Sequence, residues 1–272
     1  FEKVIKPFME DDVSVINVKY SDMKFEIIGK KMEQISMKSF MKQQYFTDYG
    51  HFFTINFFSQ SGIITYNIKV EAQEGKVPEN FAELLKKSLD YANKHQFELV
   101  FTKNKSKFNP LQKVSIDNDY DQKTENLARL AFSTGSDFFY DNQLKTEIEK
   151  KGDGTLLKAI NSNTNWEITT ESKTISSYLC YKAILRISFV NRKGVSGIHT
   201  ITAWFAPSLP FPFGPKNFYG LPGLILELHE NKTTYLATKI VLTDKEFKID
   251  FPKGKTIPKE EYDKKLKAQM GM

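Results

Sequence analysis

Apolar and polar residues alternate with a period of two along much of this chain, a pattern typical of half-buried β-strands. Between Ile64 and Val70 the apolar side chains fall on one face of the predicted strand, and residues 97–101 repeat the arrangement. The longest alternation covers residues 178–190 and predicts a long strand with one buried side. Shorter alternations occur at residues 144–148, 166–168 and 247–251. The pattern therefore predicts a mainly β protein.

Two hairpins are predicted in the second half of the chain. The first joins residues 178–190 to residues 198–205 through the Gly-containing turn 191–194. The second joins residues 224–230 to residues 233–242. The stretch between the hairpins therefore links two antiparallel pairs of strands.

Helices are predicted to be accessories to this β structure. Apolar residues at helical spacing predict helices over residues 78–94 and 122–133, and a polar, proline-started helix over residues 258–270. We expect a large, strongly curved antiparallel sheet or half-open barrel with one to three accessory helices, and a two-sheet β-sandwich is the alternative. The expected divisions are an N-terminal extension of strands packing on the main domain (residues 1–60), the main β domain (61–251) and a peripheral helical tail (252–272).

Residues 204–228 differ from an ordinary loop because they are both rigid and apolar. The segment holds five of the ten prolines, Pro207, Pro210, Pro212, Pro215 and Pro222. Proline fixes φ and restricts the preceding residue, so the path of the chain is largely pre-set. The candidate contact residues are Trp204, Phe211, Phe213, Phe218, Tyr219 and Leu221.

Three interpretations of this segment remain open. Its rings fold back and plug the mouth of the curved sheet, with Gly220 and Gly223 shaped for close packing. Alternatively, the rings face outward as a pre-organised anchor for another protein. In the third interpretation the segment closes over an apolar or lipid ligand that lies in the concave sheet.

The sequence Gly220-Leu-Pro-Gly-Leu-Ile225 resembles the signature of the GLPGLI family, secreted envelope proteins of one group of Gram-negative bacteria. Trp166 and the block from Lys173 to Ala183 resemble two further motifs of that family, although Ser177 stands where the family has glycine. The resemblance runs from Gly62 to about Lys245 and marks as structural motif residues Trp166, Cys180, Pro215, Gly220, Pro222 and Gly223. It implies an exported protein of the periplasm or outer membrane, and the family has no established activity.

Composition narrows the classes of partner. Of 39 basic residues against 33 acidic ones, only Arg129, Arg186 and Arg192 are arginines, so the surplus is a lysine surplus. Because nucleic-acid readers rely on bidentate arginine contacts, we expect no nucleic-acid partner. No run of eighteen apolar residues occurs, so no transmembrane helix is expected. The single cysteine, Cys180, is expected to be a packed, inert thiol; the alternative is a nucleophile assisted by Lys182.

Catalytic and metal-binding patterns are weak. The four histidines, His51, His95, His199 and His229, are far apart, although His199 and His229 approach each other if the two hairpins pair. Asp117, Asp119 and Asp121 begin like a calcium loop, but Gln122 and Ala128 occupy positions that need glycine and a bidentate acid, so Asp121 is expected to cap the next helix. Ser21 and Ser39 each have a lysine three positions on, a spacing that chance produces in so lysine-rich a chain. We therefore expect no catalytic centre, no cofactor and no metal.

The sequence favours a non-catalytic, exported binding protein. We expect an accessory subunit of an outer-membrane or periplasmic assembly, with other envelope proteins as partners and residues 204–228 as the contact surface. A carrier of a lipid or other apolar ligand is the first alternative, and it requires an enclosed cavity behind that segment. A hydrolase is the second, and it requires His199, His229 or Cys180 to share a cleft with an acid or a base.

Overall fold

The structure is a computed structural model that describes residues 61–71, 79–111, 121–160, 165–191, 194–245 and 247–269, together with the backbone of five short strands before residue 60. The chain divides into two compact units, Phe1–Phe58 and Ser59–Met272. Ser21, Ser39, His51, Asp117 and Asp119 lie outside the described residues, as does most of the predicted N-terminal extension.

The first unit contains a three-stranded antiparallel sheet and a two-stranded ribbon. Its strands are β1 (Ile16–Lys19), β2 (Lys24–Ile27), β3 (Ile35–Ser36), β4 (Tyr45–Phe46) and β5 (Phe52–Phe53). The sheet has the order β1-β2-β3, and β4 pairs with β5.

The second unit is built on one sheet of twelve strands. Its strands are β6 (Ser61–Val70), β7 (Gln96–Phe101), β8 (Lys105–Leu111), β9 (Asp137–Asp141), β10 (Thr146–Lys150), β11 (Leu156–Ile160), β12 (Glu167–Ile175), β13 (Tyr178–Val190), β14 (Ser196–Ala206), β15 (Leu224–Glu230), β16 (Thr233–Thr243) and β17 (Thr256–Pro258). The order is β12-β13-β14-β15-β16-β6-β7-β8-β9-β10-β11-β17, with β12 and β17 as its edges. Every pair is antiparallel except β11 with β17, so the sheet is mixed and does not close into a barrel.

The sheet bends strongly toward its apolar face. The register places Tyr235 of β16 and Phe108 of β8 on the same face, three strand spacings apart. Three spacings amount to about 14 Å in a flat sheet. The two ring centroids are nevertheless only 6.1 Å apart, and Phe97 lies within 5.4 Å of Tyr235. The face that carries these rings is therefore concave, and the prediction of a large curved sheet is confirmed in place of the two-sheet sandwich.

The main strands and both hairpins are confirmed close to their predicted bounds. One strand prediction is wrong, because residues 247–251 form no strand. Their alternation has another cause: Phe251 packs against Phe139 of β9 with centroids 5.5 Å apart, while the side chains of Lys248 and Asp250 are 85% and 74% exposed. A chain that lies on one face of a sheet shows the same period as a strand without ladder hydrogen bonds.

All three predicted helices are confirmed. They are α1 (Glu79–Ala92), α2 (Gln122–Phe132) and α3 (Lys259–Gln269). Asp121 caps α2: the Lys123 amide donates to its carboxylate at 3.0 Å, and the Thr124 hydroxyl donates at 2.5 Å. These hydrogen bonds, that of Thr124 first, lower the pKa of Asp121. Helices α1 and α2 contact each other, and α3, which buries no residue, contacts β11 and β17.

Candidate functional site

The proline-rich segment bonds mainly to itself and to the strands that flank it. The Phe211 amide donates to Leu209 O at 2.7 Å, and the Phe213 amide donates to Phe211 O at 2.9 Å. These are successive γ-turns centred on Pro210 and Pro212, whose fixed φ is close to the value that an inverse γ-turn needs. Three further amides donate to carbonyls of the segment: that of Gly220 to Pro212 O (3.0 Å), that of Leu224 to Leu209 O (2.9 Å) and that of Ile225 to Phe213 O (3.0 Å).

The rings of this segment fill the concave face of the sheet. Phe211 packs on Phe101 of β7 with centroids 4.8 Å apart, and Phe213 lies 6.2 Å from both Phe101 and Tyr140 of β9. Tyr219 stacks on Tyr140 at 3.6 Å. The segment therefore crosses from the end of β14 to strands on the opposite side of the curved sheet.

The prediction that these rings face outward is wrong. Phe211, Phe213, Phe218, Tyr219 and Leu221 are all buried, with exposed fractions of 9%, 0%, 2%, 2% and 1%. The physical reason is that an open curved sheet leaves an apolar concave face uncovered, and the nearest rigid apolar segment covers it. Of the six predicted contact residues, only Trp204 retains partial exposure.

Tyr219 links the segment to Trp166 and to strand β10. Its carbonyl accepts a hydrogen bond from Trp166 Nε1 at 2.9 Å, and its hydroxyl donates to Glu147 of β10 at 3.4 Å. Glu147 is 2% exposed, so this carboxylate is held inside the sheet. Trp166 and Phe218 meet edge to face with centroids 6.3 Å apart. Trp166 thus contacts the two residues that directly precede the Gly220–Ile225 motif.

Two glycines shape the end of the segment. Gly220 has φ of 93°, a conformation that other residues rarely adopt. Gly223 has no room for a side chain, because an added Cβ would lie 2.2 Å from Ala206 O. Both glycines therefore have structural roles in the path of the chain.

Trp204 lies on the outer, convex face among paired charges. Lys173 Nζ is 4.3 Å from the centre of the Trp204 ring and 2.7 Å from both carboxylate oxygens of Glu227. Beside it, Lys182 Nζ contacts Glu171 at 2.9 Å. This arrangement combines a cation–π contact with an ion-pair ladder across β12 to β15.

Cys180 and the strand histidines do not form a reactive site. Cys180 is fully buried, and burial raises the pKa of its thiol to about 11. His229 lies opposite Thr202 on the convex face and bonds to Thr234 Oγ1 at 3.0 Å. His199 points to the other face and stacks on Phe189 at 4.0 Å. The hairpins do pair, yet they do not bring the two histidines together.

A polar cluster that the sequence pattern does not predict surrounds His95. Its Nδ1 lies 2.9 Å from Ser133 Oγ and its Nε2 lies 3.0 Å from Glu125 Oε1, which also accepts from Arg129 Nε at 2.8 Å. The order serine, histidine, carboxylate matches that of a catalytic nucleophile, base and acid. Here, however, Ser133 is the C-cap of α2, and the imidazole and the carboxylate are buried. The cluster ties the turn after α1 to α2. Desolvation outweighs the attraction of Glu125 and lowers the pKa of His95.

The β13–β14 hairpin extends beyond its neighbours. Pairing of β12 with β13 reaches only Ile184, and pairing of β15 with β14 reaches only Thr202. We call residues 185–191 and 194–201 the projecting ribbon. Within the described part of the chain, neither of its edges has a strand neighbour.

The projecting ribbon carries apolar residues on both faces. Val190 and Ile198 lie on one face, diagonal to each other, with exposed fractions of 50% and 62%. Val195 in the turn is 58% exposed. Phe189 and His199 form the stacked pair on the opposite face. A two-stranded ribbon is marginally stable in water unless an apolar face is covered.

The described residues offer neither a metal cluster nor a membrane-spanning helix. Within the ranges given above, no three His, Cys, Asp or Glu side chains are grouped so that they could hold a metal ion. None of the helices in the described part of the chain has both the length and the apolar character that a membrane crossing requires.

Comparison with known proteins finds one short family match and a distant structural likeness. Residues 190–227 match a family described as "Protein of unknown function (Porph_ging)", a stretch that includes half of the projecting ribbon and the proline-rich segment. Among curated proteins there is no match. A solved structure of PNGF-II is 17% identical with a TM-score of 0.45, over 76% of this chain and 33% of that one. The chain thus spans about a third of the length of that structure.

Proposed function

We propose that this protein is a non-catalytic binding protein of the cell envelope, an accessory subunit that docks on another envelope protein through the projecting ribbon. The observation that carries the proposal is the exposed apolar surface of Val190, Val195 and Ile198, at the end of a hairpin whose edges have no strand neighbour among the described residues. Such a ribbon offers a partner both apolar contacts and unpaired backbone groups. The envelope location rests on the resemblance of residues 220–225 to the GLPGLI signature.

The proposed contact surface is the projecting ribbon and not the ring cluster of residues 211–221. Those side chains are buried against the sheet, so a partner cannot reach them without unfolding the segment. The ribbon joins the same segment through β14, which ends at Ala206. A rigid core segment therefore anchors the base of the ribbon.

The packing of the concave face argues against an apolar-ligand carrier. Phe213 and Leu221 are 0% and 1% exposed, and the ring of Tyr219 stacks directly on Tyr140. Close ring contacts lie behind the segment, where the carrier hypothesis needs a cavity, and they count against that hypothesis. The hydrolase alternative named His199, His229 and Cys180, which lie on different faces or in the interior.

The expected loss of docking affinity on substituting the ribbon residues follows from the apolar area that they expose. Burying a Val or Ile side chain completely contributes about 1.5–3 kcal/mol. About half of Val190 and of Ile198 is still exposed, so covering both contributes about 2–3 kcal/mol. Replacing both by serine should therefore weaken docking by about 30- to 150-fold.

The test compares Val190→Ser/Ile198→Ser with the control Leu130→Ser/Ile160→Ser in the full chain. Leu130 and Ile160 are 87% and 67% exposed and lie away from the ribbon. Each version is used to capture proteins from detergent-solubilised envelopes, and a photo-crosslinker at position 195 identifies what touches the ribbon. We expect the control to retain the cross-linked protein and the ribbon variant to lose it.

Two results would overturn the proposal. Equal recovery by both variants would place the docking surface elsewhere. A cross-link from position 195 to residues 1–58 of the same chain would mean that the protein covers its own ribbon. Both results are distinguishable from a folding defect, because the substituted side chains are exposed and thermal unfolding can be compared directly.

A further inference from the structure

A cleft of about 710 Å³ lies on the convex side of the sheet, away from the proline-rich segment. Its lining residues come from two walls. The strand wall contributes Lys105, Asp141, Leu144, Thr146, Ile148 and Lys158, and the crossing wall contributes Lys248, Ile249, Asp250, Phe251 and Lys253. Four lysines against two aspartates leave the cleft with two formal positive charges.

The cleft exists because residues 247–253 cross the convex face without pairing to it. Phe251 holds this segment down through its contact with Phe139, and Gly254 packs against Leu156 with 3.3 Å between the Leu156 methyl and the position of an added Cβ. Between these fixed points the segment stands off β8 to β11. The same segment that the alternation assigned to a strand is thus the wall of a cleft.

Some charged groups of the cleft are already paired within the protein, and others are not. Asp141 Oδ1 accepts from the amides of Gln143 and Leu144 at 2.9 Å each, so this carboxylate is already used to form the β9–β10 turn. Lys105 Nζ is 4.0 Å from Asp141 Oδ2 and 5.6 Å from the centre of the Phe251 ring. Within the described residues, Lys158 and Lys253 form no ion pair.

This balance favours an anion over a cation. A cation site needs several oxygen ligands, whereas Asp141 is bonded to backbone amides and Asp250 pairs with Lys248 at 3.2 Å. Lysine ammonium groups bind phosphate as point charges. Lys158 lies opposite Ile148 in the β10–β11 register and lines the cleft, so its charge has no acidic partner directly across the strand pair.

The volume and the lining indicate a ligand larger than an isolated ion. Small-molecule sites are usually about 300–1,000 Å³ and combine apolar lining with a few polar groups. Leu144, Ile249 and Phe251 supply an apolar surface beside the lysines, and Leu144 is 71% exposed. We infer that this cleft binds a phosphorylated ligand of the size of a lipid headgroup or sugar phosphate. Its phosphate contacts Lys105, Lys158 and Lys253, and its apolar part lies on Phe251.

The test uses the full chain with Lys158→Gln/Lys253→Gln and the charge-matched control Lys86→Gln/Lys232→Gln. The control lysines are exposed and lie away from the cleft, so both variants lose the same net charge. One arm titrates inorganic pyrophosphate by calorimetry, with sulfate at equal ionic strength as the comparison. The other arm measures sedimentation with vesicles of phosphatidylcholine, with and without phosphatidylglycerol.

We expect the cleft variant to bind pyrophosphate at least about tenfold more weakly than the control, because two ammonium–phosphate contacts are lost. A parallel loss of binding to the phosphatidylglycerol vesicles would identify a lipid headgroup as the source of the phosphate. Vesicle binding that does not change, with pyrophosphate binding reduced, would identify a soluble phosphate ester. Absence of pyrophosphate binding above the sulfate level, or equal losses in both variants, would overturn the inference.

Discussion

Gly223→Ala tests the close packing of the proline-rich segment against the strand that precedes it. A methyl group at position 223 would lie 2.2 Å from Ala206 O, 2.6 Å from Ala206 C and 3.0 Å from Pro207 Cα. All three atoms belong to the backbone at the end of β14, where no side-chain rotation can relieve the contact. Ordinary van der Waals contact begins near 3.4 Å, so the backbone must move by about 1 Å.

The expected loss combines two contributions. Forcing one methyl group into a packed interior costs about 1–3 kcal/mol. The amide of Leu224, the next residue, donates to Leu209 O at 2.9 Å, and displacing it weakens a hydrogen bond that contributes about 1 kcal/mol. We therefore expect Gly223→Ala to lower the free energy of unfolding by about 2–4 kcal/mol. In a unit of this size that corresponds to a fall of roughly 5–15 °C in Tm.

Tryptophan fluorescence during thermal and urea unfolding is the appropriate assay. The two tryptophans, Trp166 and Trp204, both belong to the unit Ser59–Met272, so the signal reports on that unit and not on the first one. Gly135→Ala is the matched control, because nothing lies within 4 Å of a Cβ at that position and its φ is not positive. Removing a glycine there should stabilise slightly, by up to about 1 kcal/mol, through the unfolded chain.

The reasoning is refuted if Gly223→Ala unfolds within about 0.5 kcal/mol of the unsubstituted protein, the scatter expected of a neutral surface change. It is equally refuted if Gly135→Ala loses as much stability, since the effect would then be general to glycine replacement. A large loss at position 223 with none at position 135 locates the constraint at the contact with Ala206.

Two further predictions concern buried polar groups. Cys180 should resist iodoacetamide in the native protein and react on unfolding, because burial raises its pKa to about 11; rapid native labelling would contradict the structure. Burial lowers the pKa of His95 below 6.5, so the unfolded chain takes up a proton that the folded one does not. The free energy of unfolding should therefore be highest above about pH 6.5 and decrease as the pH falls below that value. In urea titrations across this range, His95→Gln should flatten the decrease; an equal slope for His95→Gln and the unsubstituted protein would contradict the assignment.

The strands and hairpins could be predicted because the pattern that specifies them is local. Residues 178–190 alternate over thirteen positions, and the turn residues 191–194 follow directly. Four strands of the second unit were not predicted: β9 has three consecutive aromatic residues between two aspartates, β8 and β11 contain little alternation, and β17 has only three residues. Their pairing is set by neighbours in the sheet, which a single short segment does not specify.

The positions of the rings in residues 204–228 could not be predicted, because the same residue types suit a core and an interface equally well. What decides between them is the curvature of the sheet, and that depends on β16 pairing with β6, about 170 residues earlier in the chain. For the His95 cluster part of the signal was available: Glu125, Arg129 and Ser133 recur every four residues on one face of α2. Their partner, His95, lies outside that helix and could not be identified from spacing.

The prolines themselves explain how an irregular segment can lie in a protein core. Every buried amide N–H needs an acceptor, and this requirement normally keeps loops at the surface. Five of the residues between positions 207 and 222 are prolines, which have no N–H. Amides that the segment does have, including those of Phe211, Phe213 and Gly220, bond within it. A proline-rich, aromatic segment can therefore fill the concavity of the sheet while burying fewer amide donors than an ordinary loop of the same length. Because its rings are buried there, the proposed recognition surfaces are the projecting ribbon and the lysine-lined cleft, which are exposed within the described part of the chain.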